Sequence, residues 1–141
     1  MNRRVVVTGM GLVTPVRIGV EETWSAICAG KSGVSEITQF DAAAYQTQIA
    51  AEVKGFNAED FMAKKEAKRT ERFIAYAIAG ARMAMEDSGL KIDRSNEHRV
   101  GVLTGCGLGG LSILEDNVRI LNTKGPKRVS PFLIPMLIGN M

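Results

Sequence analysis

The chain has 141 residues, 45% of them hydrophobic and 23% charged, with a formal net charge of +3, which suits one soluble globular domain. No apolar run approaches the ~18 residues of a membrane span, and the N-terminus lacks the long apolar core of a secretion signal. Two cysteines and one histidine give neither a disulfide framework nor a metal-ligand spacing, so the reading is a cytoplasmic protein with no membrane attachment and no metal.

The elements follow in chain order. RRVVVTGMG, from Arg3, reads as a first strand buried on both faces and ending at glycines. VEETWSAICAG at 20–30 reads as a helix closed near Gly30. Trp24, Ile27 and Cys28 share its apolar face, so Cys28 is expected to be a small buried hydrophobe. A loop leads to a short strand near 48–53, and NAEDFM, with an Asn cap and acids in its first turn, reads as a short helix. Residues 64–88 predict one long helix. Ala67, Ile74, Ile78, Ala81 and Met85 fall on one side, and Lys65, Lys68, Arg69 and Arg72 on the other. Gly89 ends it, KIDRSNEH is a polar turn, and RVGVLTG at 99–105 is the next expected strand. LSILEDNVRIL at 111–121 is an amphipathic helix with Ile113, Leu114, Val118 and Leu121 on its apolar stripe, followed by a loop. FLIPMLIGNM is apolar to Met141, where domains normally turn polar, so the chain reads as part of something longer.

The charge is local. Segment 64–72 holds five cations against two acids and 124–128 holds three cations and no acid, while the remainder has 10 basic and 13 acidic residues. Two patches argue for a local acidic partner rather than a nucleic-acid surface.

GCGLGG at 105–110 satisfies a dinucleotide-binding pattern through Gly105, Gly107 and Gly110, and TGMGLVT at 8–14 nearly does. The pattern also wants a following strand with an acid about 20 residues on. KGPKRVSP at 124–131 supplies neither, which argues against an NAD-type oxidoreductase. Cys106 sits in the same loop. The lone His98 precedes the expected strand, roughly 20 Å away at ~3.3 Å per residue, so Cys106 has no base to activate it.

RRVVVTGMGLVTPV, TW at 23–24, AGKSGVSEITQFDAAAY, AMEDSGL, RVGVLTGCGLGGL and SPFLIPMLIGNM, in that order, resemble the N-terminal part of the 3-oxoacyl-[acyl-carrier-protein] synthase II family, the β-ketoacyl synthase condensing enzymes. The resemblance runs from Arg3 to Met141 and implies an α/β, thiolase-like fold of which this chain is the N-terminal part, 1–141, ending before the catalytic cysteine. It implies a homodimeric parent acyltransferase of fatty acid elongation, condensing acyl- and malonyl-acyl carrier protein by decarboxylation, with no cofactor. The family's cysteine, two histidines and lysine are implied to lie outside this chain, so no catalytic residue is expected here. Leu108, Leu111, Leu133 and Ile134 match residues of the acyl pocket. Lys64, Lys65, Lys68 and Arg69 match the patch that docks the carrier protein, with Lys127 and Arg128 weaker candidates. Arg17 stands where the family usually has glycine, Cys106 where it usually has serine, and Leu133 where phenylalanine is frequent. Two alternatives stay open: a non-catalytic carrier-binding remnant, and a polyketide-type ketosynthase fragment.

Overall fold

The computed structural model describes residues 3–139; residues 1, 2, 140 and 141, the outer ends of the first and last apolar runs, lie outside the described residues. The chain divides into two compact units. One takes the residues up to Asn57 together with Ala79–Gly89, the other Ala58–Ile78 and the residues from Leu90 on.

In the first unit a tight turn precedes helix α1 (Val20–Cys28). Thr14 Oγ1 donates to the Arg17 carbonyl (2.8 Å) and accepts from the Arg17 N–H (3.1 Å), and Val13 bridges Ile18. Glu21 and Glu22 sit in the first turn of α1, where the helix dipole favours acids. Its end is a Schellman motif: Lys31 N–H donates to the Ala26 carbonyl and Gly30 N–H to that of Ile27, both at 2.9 Å, with Gly30 at φ +67°. The buried face of α1 corrects the sequence reading. Thr23 and Ala26 are buried, while Trp24, Ile27 and Cys28 are exposed. Thr23 turns inward because its hydroxyl donates to the Arg17 carbonyl at 3.1 Å, and that bond outweighs the apolar pattern.

Two short antiparallel strands follow, β1 (Val34–Glu36) and β2 (Ile49–Ala51), with Val34 opposite Ala51 and Glu36 opposite Ile49. The second matches expectation; the first falls in a stretch read as loop. Buried Glu52 braces the pair, accepting from Thr38 N–H (3.1 Å) and Thr38 Oγ1 (2.6 Å).

The expected 64–88 helix, whose residues up to Ile78 belong to the second unit and whose later ones to the first, is broken. Helix α2 (Lys64–Ala67) ends at Lys68, and α3 (Arg72–Ser88) begins after a turn. Thr70 explains the break: its hydroxyl donates to the Glu66 carbonyl at 2.8 Å, competing with the helical ladder. The buried residues of α3 are Ala75 and Ala79, whereas Ile78 is 40% exposed. Gly89, at φ +63°, follows its last residue as expected. Helix α4 (Leu111–Lys124) runs three residues beyond the predicted end. Asn117 is its buried pivot: it donates to the Ile113 carbonyl (2.8 Å) and accepts from the Ser130 N–H (2.9 Å). Leu114, Val118 and Leu121, expected on the inner stripe, are exposed. A 3₁₀ turn at Pro126–Arg128 and helix α5 (Leu133–Leu137) complete the unit, α5 packing on α4.

The runs expected as buried strands, from Arg3 and at 99–105, form no strand, and Val5 and Leu103 are 92% and 99% exposed. A strand exists only as part of a ladder, and among the described residues neither run has a partner strand.

Candidate functional site

The glycine loop at 105–110 joins the unpaired 99–105 run to α4, whose N-terminus Gly110 caps. Its second half is packed. Gly110 N–H donates to the Leu137 carbonyl at 3.2 Å, and Gly109 takes φ +71° so that its backbone lies on that same carbonyl. A Cβ on Gly110 would stand 2.7 Å from the Met136 carbonyl oxygen. The first half is open: a Cβ on Gly105 or Gly107 would meet nothing within 4 Å. Between these halves and the end of α5 lies a pocket of about 380 Å³, lined by Thr104, Cys106, Gly107, Leu108, Leu137 and Ile138 among others.

Of the four expected acyl-pocket residues, only Leu108, 75% exposed, lines this pocket. Leu111 opens α4 and Leu133 opens α5, with Ile134 beside it; all three lie outside the pocket lining. The residues that sequence reasoning missed are Leu137 and Ile138. Their only signal was membership of the terminal apolar run. Cys106 is exposed, and its sulfur accepts the Gly109 N–H at 3.1 Å. His98 is exposed in a 3₁₀ turn, Glu97–Arg99.

The four cations of the second candidate surface are exposed. The break after α2 divides them. Lys64 and Lys65 lie on the helix, Lys64 pairing with Glu59 at 3.9 Å, while Lys68 and Arg69 lie on the turn. The Arg69 guanidinium rests over the Phe132 ring, 4.7 Å from its centroid. Arg72, expected to extend the stripe, instead donates from Nε to the Tyr76 hydroxyl at 2.9 Å. Among the described residues no three His, Cys, Asp or Glu side chains group as metal ligands, and no helix is long and apolar enough to cross a membrane.

Comparison with known proteins places this geometry. The family described as "Beta-ketoacyl synthase, N-terminal domain" matches residues 2–141. The 3-oxoacyl-[acyl-carrier-protein] synthase 2 of Vibrio cholerae serotype O1 is 48% identical over 140 residues, 99% of this chain and 34% of that protein. That of Coxiella burnetii is equally similar over the same share. This chain therefore spans about a third of the length of the curated relatives it matches. Among solved structures, the ishigamide ketosynthase/chain length factor superposes with a TM-score of 0.76 at 30% identity, over 98% of this chain and 34% of that one. A type II polyketide ketosynthase, solved with its acyl-carrier protein and bound to the hexaketide, reaches 0.78 at 24% identity, over 98% and 37%. A glycine loop seated on the end of a short apolar helix, with the ordered motifs around it, is thus the N-terminal part of a thiolase-like ketosynthase fold, and the chain belongs to the β-ketoacyl synthase N-terminal domain family.

Proposed function

We propose that the protein to which this chain belongs is a condensing acyltransferase of fatty acid elongation. It would join an acyl group to a two-carbon unit released by decarboxylation of malonyl-carrier protein, with no cofactor, as a cytoplasmic homodimer. The observation that carries this reading is 48% identity over 140 residues to relatives named 3-oxoacyl-[acyl-carrier-protein] synthase 2. The structural neighbour named as a type II polyketide ketosynthase stands at 24%, which favours fatty acid over polyketide substrates.

Within that enzyme this chain contributes binding rather than chemistry. Leu108 forms part of the acyl-pocket wall, where the open half of the 105–110 loop lets the backbone approach the acyl group; Leu111, Leu133 and Ile134, outside that lining, are assigned to the acyl channel by the family resemblance alone. Lys64, Lys65, Lys68 and Arg69 dock the acidic carrier protein, their charge raising encounter rate and fixing orientation. The carrier-protein complex named for a structural neighbour supports a partner of this kind. Among the described residues no base is hydrogen-bonded to Cys106, whose sulfur accepts the Gly109 N–H, which supports the reading that this thiol is not the nucleophile and that the chain alone does not condense.

The test is a condensation assay on the full-length protein with acyl- and malonyl-carrier protein. A 3-oxoacyl product with release of carbon dioxide is expected. Full-length protein without such product overturns the reading, as does product from residues 1–141 alone. Charge reversal at Lys65 and Arg69 is expected to raise KM for the carrier at least tenfold with little change in kcat.

A further inference from the structure

The first unit carries a hollow of about 360 Å³ that the condensing reaction leaves unused. Its walls are the 15–18 turn, the 32–35 segment and Lys54. Arg17 and Lys54 line it together with Ser32 and Ser35, and no acidic side chain is among its lining residues. Neither cation forms an ion pair among the described residues.

Both cations are held by neutral partners. The Arg17 carbonyl accepts from Thr14 N–H, Thr14 Oγ1 and Thr23 Oγ1, at 2.8–3.1 Å. This fixes the backbone from which the guanidinium projects. Arg17 Nη1 donates to the Val16 carbonyl at 3.0 Å, which leaves most of the five guanidinium N–H donors available. Lys54 Nζ donates to Ser35 Oγ at 2.7 Å and keeps two further donors. The walls are in close contact at Gly33, where a Cβ would stand 2.9 Å from the Pro15 carbonyl carbon. The acids nearby lie outside this lining. Glu52 takes both Thr38 donors, with the Lys54 charge a minor influence on its carboxyl, and Glu21 and Glu22 line a second hollow that Arg17 also lines.

Two cations facing one concavity repel each other, and an anion between them removes that cost. A planar guanidinium and a compact ammonium lining one hollow with two serines make a donor set that a tetrahedral oxyanion accepts. The volume lies at the small end of ligand sites and excludes a folded partner. We propose that this hollow binds the phosphate group of a small phosphorylated molecule. The proposal rests on the first unit alone and is independent of the condensing-enzyme reading.

Calorimetric titration of the full-length protein tests it, with inorganic phosphate and glycerol phosphate as probes at constant ionic strength. Saturable one-site binding is expected. Arg17→Gln and Lys54→Gln are each expected to weaken it about tenfold, the loss of one charge-assisted donor, while Lys91→Gln, an exposed cation outside the hollow, leaves it unchanged. Arg17→Lys keeps the charge and is expected to retain part of the affinity, which guards against misfolded variants. Tighter binding of glycerol phosphate assigns an organic phosphate as the ligand; equal binding assigns the free ion, and both support the site. Absence of saturable binding of either probe at millimolar concentration overturns it. So does an equal loss in all three glutamine variants, which would report only the general positive field.

Discussion

TGMGLVT at 8–14 and GCGLGG at 105–110 read almost alike and behave differently. In the first, both glycines are pressed against a helix. A Cβ on Gly9 would fall on the Ala84 carbonyl and 2.6 Å from Ser88 N, and one on Gly11 on the Gly80 carbonyl and 2.8 Å from Met83 Cβ. The Met10 N–H between them donates to Asp87 Oδ2 at 2.8 Å. In the second, only Gly109 and Gly110 are pressed, against the end of α5, while Gly105 and Gly107 face open space. The same residue type thus serves two ends. One loop is wholly a packing joint; the other is a joint in its second half and a bare pocket wall in its first.

Gly11 offers the most severe test of that contrast. Gly11→Ala forces a methyl into helix backbone, which cannot yield as a side chain would. A loss of roughly 3 kcal/mol is expected, read as a fall in the thermal midpoint of the isolated chain. Gly109→Ala comes next, with a left-handed φ costing about 1–2 kcal/mol before any clash with Leu137. If the two substitutions prove equally mild, the joints are softer than their geometry implies.

Acid separates the two regions further. The unit holding the first loop also holds Glu52, whose carboxyl is drawn below its ordinary value of 4.5, chiefly by the Thr38 hydroxyl and then by the Thr38 N–H. A lowered carboxyl contributes stability that is fully present above the unfolded value and is lost as pH falls through the folded one. Stability is therefore expected to decline below about pH 4.5. Glu52→Gln should flatten that decline in a denaturation series between pH 6 and pH 3. An unchanged slope would assign the acid sensitivity elsewhere, Asp93 being the other carboxyl held low, by Ser95.

Gly107 should respond least. With nothing near its Cβ position and no positive φ, Gly107→Ala should stay within about 0.5 kcal/mol of the parent in stability. On the proposed condensing function, the same substitution in the full-length protein should still lower kcat/KM for long acyl chains. Loss of stability there would show that the open half of the loop is also a joint.

Local signals were legible in the sequence. Gly30 and Gly89 end helices where they were expected to, and the strand at 49–51 and the short 3₁₀ helix after Asn57 stand where composition put them. Non-local outcomes were not. Segments 3–9 and 99–105 each hold three large aliphatic residues against one each in β1 and β2, yet only the latter pair, because a ladder depends on a partner and not on hydrophobicity. The buried faces of α1 and α4 turn on Thr23 and Asn117, polar residues whose inward direction comes from single bonds to Arg17 and Ser130. The helix break at Thr70 has the same origin in one hydroxyl. At the pocket, Leu108 and the glycines were visible in the chain, whereas Leu137 and Ile138 reach it only through the folding back of α5.

The guanidinium of Arg69, lying on Phe132, has a consequence for how any acidic partner meets this surface. A long cationic side chain normally surrenders its rotational freedom at the moment of contact. Arg69 has given up part of it in advance, to a ring that leaves its hydrogen-bonding edge available. Lys65 and Lys68 carry the same charge but no such support among the described contacts. The patch is thus graded rather than uniform: one poised arm beside Lys65 and Lys68, whose grip should survive salt that releases its neighbours.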